Sequence, residues 1–120
     1  QIQPDMAIAV DVTDTGDTPK TRLMEVKCGK GPAIKIKDSS FISHPEVRKL
    51  LEEAAKKLGM EYQLEILESG GTDAGSIHIT AGGIPSGAVS IPCRYIHSPS
   101  EVIYENDVIN ASRLILQAIS

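Results

Sequence analysis

The chain has 120 residues, of which 41% are hydrophobic and 23% are charged. These values are ordinary for one folded globular domain and exclude disordered, collagen-like and membrane-spanning chains. A net charge of -4, lysines scattered among glutamates, and an aromatic content of 3% without tryptophan argue against nucleic acid as a partner.

Targeting segments and cysteine usage indicate the compartment. No stretch approaches the ~20 apolar residues of a membrane span, and the first residues lack the basic-then-apolar layout of a secretory signal. We therefore expect a cytoplasmic protein that does not associate with membranes. Cys28 and Cys93 have no CxxC or zinc-ribbon spacing, which favours two reduced thiols over a disulfide.

Two strands separated by a loop are predicted first along the chain. The run MAIAVDV (6–12) is apolar and β-branched, which is typical of a strand buried on both faces of a parallel sheet. Residues 13–22 are polar, include glycine and proline, and predict a loop. The run PAIKIKD (32–38) alternates isoleucine with Lys35 and Lys37, which favours a strand near a sheet edge.

The segment 43–59 has the clearest helical pattern. Ser43 and Glu46 form an S-x-x-E capping box, and Gly59 is placed to end the helix. His44 follows the predicted cap and is expected to be exposed. One face of the helix carries the apolar residues that would pack on a core: Val47, Leu50, Leu51, Ala54, Ala55 and Leu58.

The second half alternates strands and helices again. EYQLEILES (61–69) predicts a strand, and residues 72–80 predict a short helix in which His78 is partly buried. GAVSIPC (87–93) predicts a further strand, and 105–119 an amphipathic helix. This order predicts an α/β fold with a largely parallel or mixed sheet and helices on both faces.

Polar residues follow three of the predicted strands. Asp11 closes the first strand, the turn at residues 70–73 follows the third, and His97 follows the last. Sites in open α/β sheets form at the carboxyl ends of the strands, so we expect these positions to converge on one edge. A carboxylate and an imidazole are good zinc or cobalt ligands, which makes Asp11 and His97 candidate metal ligands.

The turn at residues 70–73 has two open interpretations. It could be a tight strand-to-helix connection in which Thr72 or Asp73 caps the helix. It could also face a substrate, because Gly70 and Gly71 allow close backbone approach and a helix N-terminus offers N–H groups to a carbonyl or carboxylate.

Other charged residues are interpreted structurally. Arg94 is taken as an ion-pair partner, with contact to an acidic substrate side chain as the alternative. Asp14 and Asp17 are taken as loop solvation. A solvated face is the simplest interpretation of the lysines in the first half: Lys30, Lys35 and Lys37.

Four segments occur in a characteristic order: IAVDVTDTGDTP, ESGGTDAGSIH, IPCRYIHSPSE and ENDVINASRLI. Together they resemble the cocatalytic metal aminopeptidases, a family of tetrahedral aminopeptidases, bacterial glutamyl aminopeptidases and proteins labelled endoglucanases. The resemblance runs from about Met6 to the C-terminus. It implies a hydrolase that releases N-terminal amino acids from peptides with two divalent metal ions, zinc or cobalt, and a homo-oligomer such as a dodecamer.

The resemblance also assigns site residues. The aspartate of the family's A-x-D-V-T-x-x-G-D segment falls on Asp11, and the histidine of its R-Y-x-H-S/T segment falls on His97. Each would bind a different metal ion of the pair. The turn at residues 70–73 would face the substrate.

The rest of the family's active site would lie before Gln1. This includes the general-base glutamate, the bridging aspartate and an H-x-D motif, as well as an inserted dimerisation domain. We therefore expect residues 1–120 to be the C-terminal portion of a metallopeptidase catalytic domain, without a catalytic residue of its own and inactive in isolation. A non-catalytic α/β scaffold or assembly module is the alternative.

Overall fold

The computed structural model describes residues 2–120. Their elements follow in the order β1 (Ala7–Thr13), β2 (Ala33–Lys37), α1 (Pro45–Lys57), β3 (Gln63–Ile66), α2 (Asp73–Ile77), β4 (Ser86–Arg94), β5 (Val102–Ile103) and α3 (Glu105–Ile119). The predicted α/β class is confirmed. None of the helices in residues 2–120 is long and apolar enough to cross a membrane.

The strands form one mixed sheet in the order β1-β4-β2-β3, and β5 pairs with β4. The β1–β4 and β2–β3 pairs are parallel, whereas β4 is antiparallel to both β2 and β5. β2 therefore lies inside the sheet, and the edge position predicted for residues 32–38 is wrong.

Helices cover both faces of the sheet, as the sequence predicts. α1 and α3 pack in a core that includes Ile34 of β2 and Val89 of β4. α2 packs on the opposite face, where Ala74 belongs to a second cluster with Ala9 and Ala88. Consecutive strand residues point to opposite faces, so the neighbouring residues Ala88 and Val89 belong to different cores.

The N-terminus of α1 differs from the predicted capping box. The Ser43 hydroxyl donates a 2.6 Å hydrogen bond to the Lys35 carbonyl, so it is engaged by β2. His44 is the N-cap, and its Nδ1 accepts from the Glu46 N–H at 3.3 Å. The predicted end of the helix is confirmed, since Gly59 follows the C-cap with φ of 59°.

β1 is less buried than the sequence predicts. In residues 2–120 it pairs with β4 alone, and Val10 is 52% exposed. Burial on both faces is therefore wrong for this strand. The strand also continues past Asp11 and ends at Thr13.

Alternation does not separate a buried from a solvated face in β2, where Ile34 and Lys35 are both buried, and in β3 the buried face is the charged one. Lys35 and Glu65 are 1% and 0% exposed, whereas Leu64 and Ile66 are 44% and 55% exposed. The Lys35 ammonium lies 2.8 Å from the Glu65 carboxylate, and this pairing permits both charges to be buried. The solvated interpretation is wrong for Lys35, although Lys37 is exposed.

Candidate metal and substrate cleft

A cleft of about 530 Å³ opens beside the end of β1. One wall is the end of β1, residues 11–14. A second wall comes from the loop after β3, within residues 67–71, and a third from the turn after β4, within residues 96–101. Arg22 completes the lining.

The structure brings most of the predicted site residues together: Asp11, Gly70, Gly71 and His97 line this cleft. Thr72 and Asp73 are not part of the lining. Thr72 is the N-cap of α2, and its Oγ1 is buried without a hydrogen-bond partner among the described residues. Asp73 lies exposed in the first turn of α2.

Asp11, His97 and the turn at residues 70–73 do not all reach the cleft from the carboxyl ends of parallel strands, as was predicted. Asp11 is level with Ser90, Ser90 with Ala33, and Ala33 with Gln63, the first residue of β3. β3 therefore runs antiparallel to β1. It begins at the level where β1 ends, and its own carboxyl end lies at the opposite end of the strands. The assumption that all three positions follow carboxyl ends at one edge is wrong for residues 70–73, which reach the cleft through the loop that follows β3.

Asp11 presents an accessible carboxylate. The residue is exposed, and its Oδ1 accepts the N–H of Val12 at 2.8 Å. It occupies the same face of β1 as Ala9 and Thr13, because side chains alternate along a strand. The regular pairing of β1 with β4 sets the position of its Cα atom.

His97 is held in a strained turn. It is exposed and has φ of 63°, and Tyr95 in the same turn has φ of 56°. Left-handed backbone costs a residue with a side chain about 1–2 kcal/mol, and such strain concentrates at functional sites. The Glu101 carboxylate accepts the His97 N–H at 2.7 Å and supports this conformation.

The donor types in the cleft fit a metal ion. A carboxylate and an imidazole both bind zinc and cobalt. Within residues 2–120, however, no three histidine, cysteine or acidic residues are grouped to hold an ion. Asp11 and His97 are thus two donors of a suitable type and do not by themselves form a complete metal site within residues 2–120.

Several residues that line the cleft carry no sequence pattern that points to a site. Arg22 donates a 2.7 Å hydrogen bond to Ser69, which is 47 residues away, and no local pattern marks either of them. Asp14, interpreted as loop solvation, also lines the cleft. Glu101 follows His97 by four residues, and this short spacing was the available sign of a shared turn.

Arg94 is the structural ion-pair partner that the sequence predicts. Its guanidinium lies 2.6 Å from the Asp17 carboxylate. Burial raises the pKa of Asp17, but hydrogen bonds from Arg94 and Thr15 outweigh burial and hold that pKa below its usual value. The interpretation of Asp17 as simple loop solvation is therefore wrong.

The two cysteines are free thiols, as expected. Burial raises the pKa of both Cys28 and Cys93. A thiol with a raised pKa stays protonated near neutral pH and is a poor nucleophile. Neither cysteine is therefore suited to nucleophilic chemistry.

Known proteins share both the sequence and the fold. Residues 1–114 match a family described as M42 glutamyl aminopeptidase. A "Putative aminopeptidase" of Acetivibrio thermocellus is 68% identical over 118 residues, which cover 98% of this chain and 36% of that protein.

Solved structures extend the comparison. A TET aminopeptidase from the marine sediment archaeon Thaumarchaeota archaeon SCGC AB-539-E09 has a TM-score of 0.91 at 36% identity, covering 97% of this chain and 33% of that one. The Pyrococcus horikoshii TET1 peptidase, described as able to assemble into a tetrahedron or a large octahedral shell, has a TM-score of 0.74 at 30% identity, covering 94% and 32%.

The chain thus spans about a third of the length of these relatives. The family match covers nearly all of its residues, and the mixed sheet with helices on both faces agrees with the fold of the solved relatives. The resemblance found in the four sequence segments is confirmed: this chain belongs to the M42 glutamyl aminopeptidase family.

Proposed function

We propose that this chain is the C-terminal portion of the catalytic domain of a metalloaminopeptidase that releases N-terminal amino acids from peptides. The observation that carries the proposal is that Asp11, His97 and the loop bearing Gly70 and Gly71 line one cleft. Family membership and the names of the relatives support aminopeptidase chemistry.

In this proposal Asp11 and His97 each hold one of two divalent metal ions, zinc or cobalt. When bound, the ions supply Lewis acidity that polarises a peptide carbonyl and activates a nearby water. His97 must be neutral to act as a ligand. The Glu101 hydrogen bond to the His97 N–H fixes the strained backbone that carries the imidazole beside the cleft.

The glycines on the opposite wall suit a passing peptide backbone. Gly70 has φ of 101°, which a residue with a side chain rarely adopts. A Cβ atom on Gly71 would lie 2.9 Å from the Ser40 hydroxyl, so a side chain there would crowd the loop. We assign Gly70 and Gly71 to substrate approach, whereas Thr72 and Asp73 contribute by starting α2.

The general-base glutamate and the remaining ligands belong, in this proposal, to the part of the relatives that this chain does not match. The 120 residues alone should then bind metal weakly and hydrolyse no peptide. Assembly into a homo-oligomer, including a dodecamer, is part of the proposal. The assembly described for the Pyrococcus horikoshii TET1 peptidase supports it.

The test is a cobalt-supplemented aminopeptidase assay on the polypeptide that carries this chain. Asp11→Asn and His97→Ala should each lower activity by more than the tenfold to hundredfold that is typical of residues that only orient a ligand. Asp5→Asn and His44→Asn are matched controls, since both residues are exposed and lie outside the cleft lining, and asparagine keeps a capping acceptor at the start of α1. Near-wild-type turnover by either cleft variant would remove that residue from the site, and metal-independent turnover would refute the mechanism.

A further inference from the structure

A buried polar network lies beneath the cleft, on the sheet face that Asp11 occupies. Its centre is the Glu65 carboxylate of β3, which is 0% exposed. Oε1 accepts from the Thr13 hydroxyl at 2.5 Å and from the Lys35 ammonium at 2.8 Å. Oε2 accepts from the Ser90 hydroxyl at 2.6 Å. One carboxylate therefore connects β1, β4 and β2 to β3.

These contacts surround the position of Asp11. Ser90 is its partner in the β1–β4 register, and Thr13 is the next residue on the same face of β1. Both hydroxyls are bound to Glu65. β1 pairs with β4 alone in residues 2–120, so these side-chain bonds are its additional links to the rest of the sheet.

The same network reaches the opposite wall of the cleft. The Lys35 ammonium also lies 3.4 Å from Oδ2 of Asp38, which is buried. Oδ1 of Asp38 accepts from the N–H and the hydroxyl of Ser40. In the same turn, the N–H and hydroxyl of Ser39 both donate to the Gly70 carbonyl, at 3.1 and 2.6 Å.

Glu65 also lies close to this wall along the chain, because the lining loop begins two residues later at Leu67. Hydrogen bonds and ion pairs, together with the peptide bond between Ser39 and Ser40, thus join the strand of Asp11 to the loop of Gly70. Stability alone is a weak reason for such a network, because well-packed apolar residues often replace a buried ion pair without loss.

We propose that Glu65 and its partners Thr13, Ser90 and Lys35 are positioning residues that set the spacing between the Asp11 wall and the Gly70–Gly71 wall of the cleft. This inference rests on the proposed function, because the spacing matters only if Asp11 holds a metal ion and the Gly70–Gly71 loop faces a peptide. The coupling between the two walls is a property of this chain and can be measured without metal or substrate.

The test compares three variants of the polypeptide that carries this chain. Thr13→Val removes the hydroxyl with little change in shape, and Thr13→Ser restores a hydroxyl. Thr15→Val is the matched control, because Thr15 is equally buried and its hydroxyl bonds to Thr18 outside the network. If Thr13→Val does not fold, Ser90→Ala removes the other hydroxyl bound to Glu65.

The first readout is hydrogen exchange, by mass spectrometry, at residues 67–72, in a peptide that begins several residues upstream so that it reports the Leu67 N–H, which donates to the Lys37 carbonyl at 3.0 Å. A hydrogen bond to a charged group contributes enough that its loss changes a local opening equilibrium about tenfold. Thr13→Val should speed exchange there by about that factor, and Thr13→Ser should largely reverse the change. Thr15→Val should leave exchange at residues 67–72 unchanged, even if it lowers the melting temperature equally.

The second readout is the affinity for cobalt, with the metal alone as probe. Thr13→Val should weaken it about tenfold, as residues that orient a ligand do, whereas Thr15→Val should not. Equal effects of the two valine variants, or no change in exchange at residues 67–72, would overturn the inference. If the wild type binds no cobalt and cleaves no peptide, the proposed function fails, and the exchange experiment alone then decides the coupling.

Discussion

At the scale of single residues, Asp38 is a buried carboxylate whose two oxygens have different partners. Oδ1 accepts three hydrogen bonds from Ser40 and Phe41, and Oδ2 lies near the Lys35 ammonium. Burial raises the pKa of Asp38, but hydrogen bonds from Ser40 and the charge of Lys35 outweigh burial and hold that pKa below its usual value. The ionised carboxylate is therefore favoured by the folded state.

The depressed pKa predicts how stability depends on pH. Stabilisation by Asp38 is fully present above the unfolded value, about 3.9, and is lost as pH falls through the lower folded value. Asp38→Asn cannot ionise, so it should lower the free energy of unfolding by about 1–3 kcal/mol at pH 7. The difference from wild type should narrow below about pH 4. Urea unfolding at pH 7 and pH 3 measures both quantities.

Asp5→Asn is the control for this prediction, since Asp5 is exposed and should follow the wild type at both pH values. A loss of stability in Asp38→Asn that is the same at pH 7 and pH 3 would contradict the argument. It would mean that the shape of the side chain matters, rather than its charge.

Single residues also show what the sequence could predict about the site. Asp11 and His97 were chosen from local motifs, and both line the cleft, because an accessible carboxylate on a strand and an imidazole in a turn need no distant partner. Lys35 was misread as solvated because alternation separates the two faces of a strand without showing which face is solvated. The pairing of Lys35 with Glu65 depends on the register of β2 and β3, which no local pattern reports.

At the scale of elements, α3 is joined to the loop before β2 by one side chain. Asp107 is 1% exposed, and its carboxylate accepts the N–H groups of Gly29 at 2.7 Å and Gly31 at 3.0 Å. Gly31 has φ of 85°, and a Cβ atom there would lie 2.1 Å from the Glu61 carbonyl oxygen. The loop thus depends on glycine for its shape and on Asp107 for its hydrogen bonds.

Asp107→Ala should therefore release this loop from α3. Two backbone N–H groups would lose their acceptors, and we expect the free energy of unfolding to fall by about 3 kcal/mol. Asp107→Asn keeps one acceptor oxygen and should lose less. Asn106→Ala is the matched neighbour, exposed on the same helical turn, and should stay within about 0.5 kcal/mol of wild type. Equal stability of Asp107→Ala and Asn106→Ala in urea unfolding would refute the assignment.

Elements were predicted unequally well for physical reasons. The limits of α3 agree with the predicted 105–119, and α1 lies within 43–59, because helix periodicity and helix ends are local properties. β5 was missed because two residues, Val102 and Ile103, are too few to show alternation. The interior position of β2 was missed because strand order depends on pairing with β4 and β3.

At the scale of the whole molecule, the two edge strands of the described sheet differ. β3 has four residues, whereas β1 has seven and carries the exposed Val10. β1 pairs on one side only in residues 2–120, so its other side presents unpaired backbone groups. A long apolar edge of this kind is a template for pairing with another chain.

A polypeptide of these 120 residues should therefore self-associate through β1. Val10→Lys places a charge on that strand and should shift the chain towards monomer, because lysine on an edge opposes pairing. Leu116→Lys is the matched control, since Leu116 is 64% exposed and belongs to α3 rather than to a strand, and should leave association unchanged. Size-exclusion chromatography with light scattering, at matched concentrations, measures the molar mass of each. A monomeric wild type would contradict the prediction, because there would be no association to explain. Equal dissociation by the two lysine variants would contradict the role of β1, because it would attribute association to exposed apolar surface in general.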